Sequence, residues 1–136
     1  MTKQIAITVN DHDRLMGLMN LSATKAIAPD IAVRLYTKIA GARTFSQQNI
    51  DADIVTMNSR IRLKDVNNGR ETEITLTYPQ EAEPRERRVS VLSEIGLALL
   101  GHGEKDVVSW KVPGGTGLFE IVKVTYQPEA EGHYYL

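Results

Sequence analysis

The sequence predicts an α+β protein, with a short antiparallel helical hairpin first and a mostly antiparallel sheet carrying one short helix after it. Three observations point there. Apolar residues recur at helical spacing through the first third of the chain. A polar stretch, residues 44–53, then interrupts them. Beyond it the apolar period changes to two, and turns rich in glycine, proline and asparagine separate the alternating runs.

Residues 4–9 alternate and are β-branched, which predicts a strand. Asn10 is placed to cap the helix that follows. Asp11 and Asp13 fall in its first turn, where the helix dipole favours negative charge. Leu15, Leu18, Met19 and Ser22 keep helical spacing, and residues 22–28 read as a turn. Pro29 suits the first position of a second helix, because an N–H there would have no partner. Ile31, Leu35, Ile39 and Ala42 form one face of that helix, with Ala32, Tyr36 and Ala40 beside it. Gly41 weakens its last turn. Two helices with so short a connection pack antiparallel. A helix of about 14 residues spans about 21 Å.

Thr44, Ser46, Gln47, Gln48, Asn49, Asp51 and Asp53 make residues 44–53 a linker, dividing the chain into residues 1–52 and 53–136. Residues 54–65 alternate through Val55, Met57, Ile61 and Leu63, as one strand. Asn67, Asn68 and Gly69 tolerate the positive φ of a tight hairpin. Residues 72–78 form the next strand, residues 79–88 a charged loop and residues 89–92 a third strand. Residues 95–100 are a single apolar helical segment closed by Gly101. Residues 107–112 are a strand, Pro113, Gly114 and Gly115 a turn, and residues 118–126 the last strand. Pro128 ends it, and a polar tail follows.

At 136 residues the chain has room for one domain, or one domain and a small appendage. Its 42% hydrophobic and 24% charged residues argue against disorder and fibrous repeats. A formal charge of -1 argues against a general nucleic-acid binder. The charge is uneven, +3 over residues 1–50 and -4 over residues 51–136, as two parts with different roles would show. With no cysteine there can be no disulfide, zinc knuckle, thiol catalysis or iron–sulfur cluster. No run approaches the roughly 20 apolar residues of a membrane span. The first ten residues do not resemble a signal peptide. A cytoplasmic protein without a membrane partner is expected.

Candidate chemistry is sparse. Asp11, His12 and Asp13 are metal-ligand types, but neighbours on a helix point about 100° apart and cannot converge on one ion. His102 and His133 have no evident partner. No Gly-x-Ser-x-Gly motif is present. Gly114, Gly115, Thr116 and Gly117 run into a strand, whereas a phosphate cradle runs into a helix. Arg85, Arg87 and Arg88 alternate with Glu81, Glu83 and Glu86, as on a solvated loop. These residues build no enzyme, need no cofactor and hold no metal.

Three segments taken together carry a resemblance. They are Val55-Thr56-Met57-Asn58-Ser59-Arg60 with Asn67-Asn68-Gly69, then Ser93-Glu94-Ile95-Gly96-Leu97-Ala98-Leu99-Leu100-Gly101, then Val112-Pro113-Gly114-Gly115. Over about residues 53–127 the chain resembles the C-terminal domain of the Gre transcription elongation factors. That domain has a fold like the FK506-binding proteins. The first string and the closing Tyr126-Gln127-Pro128-Glu129-Ala130 look most like one branch, the regulators of nucleoside diphosphate kinase.

The resemblance implies a mechanism. Gre factors dock this domain on the rim of the RNA polymerase secondary channel and insert a long coiled coil. Acidic residues at its tip hold a metal ion, so that polymerase cleaves its own backtracked transcript. Here the hairpin is short, and its tip carries Thr24 and Lys25 and no carboxylate before Asp30, which stands alone. The branch is thought to occupy the same site and compete with Gre-like factors, so nucleic acid is met only through the polymerase complex. The turn that takes part in polymerase contact corresponds to Ser93, Glu94, Ile95 and Gly96, with Glu94 where the family has proline. The competing reading makes Ile95, Leu99 and Leu100 core and Gly96 a packing position. Two other functions remain at this point. One is a module that binds nucleoside diphosphate kinase or another metabolic enzyme directly. The other is a peptidyl-prolyl isomerase, for which eight aromatic residues are few.

Overall fold

The computed structural model describes residues 4–21 and 29–136. The first strand, β1 (Ala6–Thr8), is shorter than expected, because Val9 already belongs to helix α1 (Val9–Met19). The cap is Thr8 rather than Asn10. With no loop between strand and helix, the Thr8 hydroxyl is in place to accept from the Asp11 N–H at 3.0 Å. Helix α2 (Pro29–Ala40) starts at its proline, as the sequence predicts. Leu15 and Met19 of α1 and Ala32, Leu35 and Ile39 of α2 are buried. Tyr36 and Ala40, expected beside the apolar face, are exposed. The predicted turn at residues 22–28, with Thr24 and Lys25, lies outside the described residues.

Residues 44–53 are more than a linker. Strand β2 (Arg43–Phe45) pairs in parallel with β1, Ala6 opposite Arg43 and Thr8 opposite Phe45. A parallel pair needs a long crossover, and here α1 and α2 supply it. Ile50 is buried as well. Three residues, exposed Arg43 and Thr44 and half-buried Phe45, are too few to show a period, so β2 left no signal in the sequence.

The larger sheet contains β3 (Arg60–Asp65), β4 (Glu71–Thr77), β5 (Arg88–Ser90), β6 (Val107–Val112) and β7 (Gly115–Tyr126), in the order β5-β4-β3-β7-β6. Every pairing is antiparallel except β4 with β5. Gly69, at φ 74°, closes the β3–β4 hairpin as predicted. Register shifts between β3 and β7 mark irregularities that bend this long pair. The strand predicted from residue 54 begins only at Arg60. Before it, Ile54 makes a lone bridge to Gly103, and Asn58 turns the chain at φ 67°. Val55 and Met57 are nonetheless buried, as the alternation placed them.

Helix α3 (Glu94–Leu99) packs between β5 and β6, under the curled sheet. Leu97, Leu99 and Leu100 meet Ile61, Leu76, Val91 and Ile121 in one apolar core, which continues through Val55 and Met57 to Ile7, Leu15, Leu35 and Ile39. The C-terminal tail is bound, not loose. Gln127 Nε2 donates to the carbonyls of Asp51 and Ile54 at 2.8 Å, and the Thr56 hydroxyl donates to buried Glu129 at 2.6 Å.

Candidate functional site

The turn into α3 is built by two serines. Ser93 Oγ accepts from the Gly96 N–H at 3.0 Å and donates to the Ser90 carbonyl at 2.6 Å. Ser90 Oγ accepts from the Leu92 N–H at 2.9 Å. One cap therefore ends β5 and starts α3 within four residues. Gly96 is buried where the helix presses on that turn. A Cβ there would overlap the Ser90 carbonyl oxygen and come within 2.8 Å of Val91 Cα. Both obstacles are backbone, so nothing can move aside cheaply.

The four residues 93–96 divide between structure and surface. Gly96 is a packing position, and Ile95 is half-buried against the core. Leu99 and Leu100 are fully buried, which settles them as core. Glu94 alone projects outward, and it is not free. Arg34 of α2 grips it with both guanidinium nitrogens, Nη1 to Oε1 at 2.9 Å and Nη2 to Oε2 at 3.1 Å. The Arg34 hydrogen bonds hold the Glu94 carboxyl below the usual range, and the same bonds raise the Arg34 guanidinium.

The Asp30 carboxylate lies 3.4 Å from Arg34 on the next turn of α2. Asp30, Arg34 and Glu94 form a chain of alternating charge between α2 and α3. One turn further, Lys38 Nζ donates to the Leu97 carbonyl at 2.5 Å and to that of Ala98 at 3.2 Å. These carbonyls belong to the end of α3, where a cation is favoured. Burial lowers the Lys38 ammonium to a pKa of about 8. Helix α2 is thus fixed to both ends of α3 by two cations four residues apart. The sequence reading missed both. Their i, i+4 spacing was visible, but nothing local showed what they face.

The second polar centre lies under the start of α1. Asp11, in the first turn of α1 as expected, is buried and accepts from the Met57 N–H at 3.1 Å and from the Tyr78 hydroxyl at 3.5 Å. Burial raises its carboxyl to a pKa of about 7, with a further push from Glu129. The Val55–Arg60 string is the hub here: Thr56 N–H and Oγ1 both bond Ser59 Oγ at 2.9 Å. His12 contacts Asp13 at 3.4 Å. Among the described residues no group of three or more histidines and carboxylates could hold a metal ion. Among them, too, no helix is long and apolar enough to cross a membrane.

Comparisons with known proteins bear on this geometry. Residues 49–126 match the family model described as transcription elongation factor GreA/GreB, C-terminal. Over 133 residues the chain is 36% identical to the regulator of nucleoside diphosphate kinase of Escherichia coli, covering 96% of each protein. It is 29% identical over 121 residues to the transcription elongation factor GreA of Clostridioides difficile, covering 89% of this chain and 76% of that one. A solved structure of a prokaryotic GreA/GreB elongation factor from Nitrosomonas europaea superimposes with a TM-score of 0.75 at 31% identity. That overlay covers 92% of this chain and 100% of the other.

Proposed function

This chain belongs to the GreA/GreB transcription elongation factor family, on the branch of the regulators of nucleoside diphosphate kinase. From that premise we propose that it binds RNA polymerase at the rim of the secondary channel and competes there with Gre-type factors, without stimulating transcript cleavage. The known relatives are named as regulators and elongation factors, and the proposed role is non-enzymatic.

The observation that carries the proposal is the double attachment of α2 to α3. Ser93, Glu94, Ile95 and Gly96 form the docking turn, and Arg34 and Lys38 fix the helix pair to it. A partner that seats the turn therefore also sets where the helices point. Those helices are short: α1 has 11 residues and α2 has 12, which corresponds to about 16–18 Å each. The residues between them, 20–28, include Thr24 and Lys25 but no aspartate or glutamate, and Asp30 is held by Arg34. Such a tip supplies no carboxylate pair for a catalytic metal. The effect on the kinase is transcriptional in this proposal.

The test uses stalled, backtracked elongation complexes. The pure chain should leave their transcripts uncut, and it should slow the cleavage that an added Gre factor stimulates. Cleavage by the chain alone would overturn the proposal. The name of the Escherichia coli relative favours a second reading, direct binding to nucleoside diphosphate kinase. Co-purification with the kinase and not with polymerase would establish that one instead.

A further inference from the structure

A cavity of about 500 Å³ opens between helix α1 and the chain around Tyr78, and it shares no residue with the docking turn, Arg34 or Lys38. Its size falls within the roughly 300–1,000 Å³ of small-molecule sites. Sequence spacing builds one wall. Arg14, Leu18 and Leu21 stand at i, i+4 and i+7 along α1 and just past its end, so they share a face, while Leu15 and Met19 turn into the core. The facing wall comes from Asn58, Tyr78 and the short turn Pro79–Glu81. Asn58 turns the chain at φ 67°, and its N–H donates to the Leu76 carbonyl at 2.6 Å. Among the described residues the Asn58 carboxamide has no hydrogen-bond partner, and it is left at the cavity wall.

One charge of each sign lines the cavity. Arg14 is exposed and stands beside the Tyr78 hydroxyl. Asp11, one turn earlier, feels its charge but is buried at the Met57 N–H. Glu81 is exposed at the end of its turn. Among the described residues neither Arg14 nor Glu81 forms a salt bridge, with the other or with any other group. A phosphate or another polyanion would find a single guanidinium here and would also meet Glu81. A simple cation would meet Arg14. A ligand that carries both charges satisfies both side chains. Between them the surface is apolar: Leu21 is 55% exposed and Tyr135, which also lines the cavity, is 77% exposed.

We propose that this cavity binds a zwitterion with a large apolar side chain, an amino acid such as leucine or a short apolar peptide. Arg14 holds the carboxylate, to which a guanidinium offers two parallel N–H donors. Glu81 accepts from the ammonium. The Asn58 carboxamide supplies a further hydrogen bond to the ligand. The apolar side chain lies on Leu18 and Leu21 and against the Tyr135 ring, which loses exposed surface in the complex. This site is independent of the polymerase proposal, which uses side chains of the α3 turn.

The probes are L-leucine and L-leucyl-L-leucine, each titrated into the full chain and followed by NMR. Saturable shifts should centre on the Asn58 side-chain amide and the Leu18 and Leu21 methyl groups. N-acetyl-leucine, which lacks the ammonium, and leucinamide, which lacks the carboxylate, should each bind at least tenfold more weakly than leucine. Arg14→Gln and Glu81→Gln should each weaken leucine binding at least tenfold as well. Both side chains are exposed, so neither variant disturbs the core. The pairing is specific. Arg14→Gln should no longer distinguish leucine from leucinamide, and Glu81→Gln should no longer distinguish leucine from N-acetyl-leucine. Tighter binding of leucine than of the dipeptide assigns the site to free amino acids, and the reverse assigns it to peptides; either result upholds zwitterion recognition. No saturable binding at about 10 mM, shifts centred elsewhere, or unchanged affinity in both charge variants would each overturn the proposal.

Discussion

Lys38 Nζ sits 2.5 Å from the main-chain oxygen of Leu97, so a cation from one helix closes the end of another 59 residues later in the chain. Its ammonium has exchanged water for two carbonyls in a largely apolar setting, and that lowers its pKa to about 8. The folded state therefore releases this proton before the unfolded chain does. Between about pH 8 and the ordinary lysine range, the unfolded state holds more protons, and this group makes folding more favourable as pH rises. Side-chain carbon NMR should find Lys38 titrating near 8. In the same window the wild type should gain stability relative to Lys38→Met. A midpoint above 10 would mean that burial does not govern this ammonium.

Asp11 has the opposite sign. Its folded pKa of about 7 lies above the ordinary carboxyl value of 3.8, so the folded state holds the extra proton between them. Stability contributed by this group is full below about pH 4 and is lost as pH rises through about 7. Asp11→Asn keeps an acceptor for the Met57 N–H and removes the titration. Denaturant unfolding should show wild type losing on the order of 2–4 kcal/mol relative to the variant between about pH 4 and pH 8. Parallel pH profiles would mean that Asp11 is solvated.

Two glycines should respond oppositely to alanine. Gly96→Ala drives a methyl into the backbone of Ser90 and Val91 and should destabilise by about 3 kcal/mol or more. Gly17, exposed in the last turn of α1, has nothing within 4 Å of an added Cβ. Gly17→Ala should stabilise by about 1 kcal/mol through helix propensity alone. Thermal unfolding of the two variants tests both signs.

Arg34→Ala and Glu94→Ala should change stability little, because the pair is exposed and screened by solvent. Their effect should appear in polymerase binding, and the double variant should bind like either single one. Additive losses would show that Glu94 meets polymerase by itself, without orienting α2.

The parts of the fold legible in the sequence are those that repeat a period. The α3 segment, the Asn67–Gly69 turn, β6 and the buried positions Val55, Met57, Ile61 and Leu63 all followed from local pattern. What escaped were contacts between distant segments. β2 exists because β1 lies beside it, and Thr8 displaced Asn10 as the cap because β1 passes into α1 without a loop. The tail read only as polar because its anchors, Asp51, Ile54 and Thr56, lie more than 70 residues away in sequence. At the site, Ser93 and Gly96 were visible from the α3 motif. Arg34 and Lys38 acquire meaning only when α2 is laid against that helix.

Docking at the secondary channel is tested most directly by titrating the full chain against a fluorescent Gre factor bound to core RNA polymerase. The docking proposal predicts displacement of the Gre factor, with weaker displacement by Glu94→Ala and by Arg34→Ala. A Gre factor that stays bound while the folded chain is in large excess would contradict it.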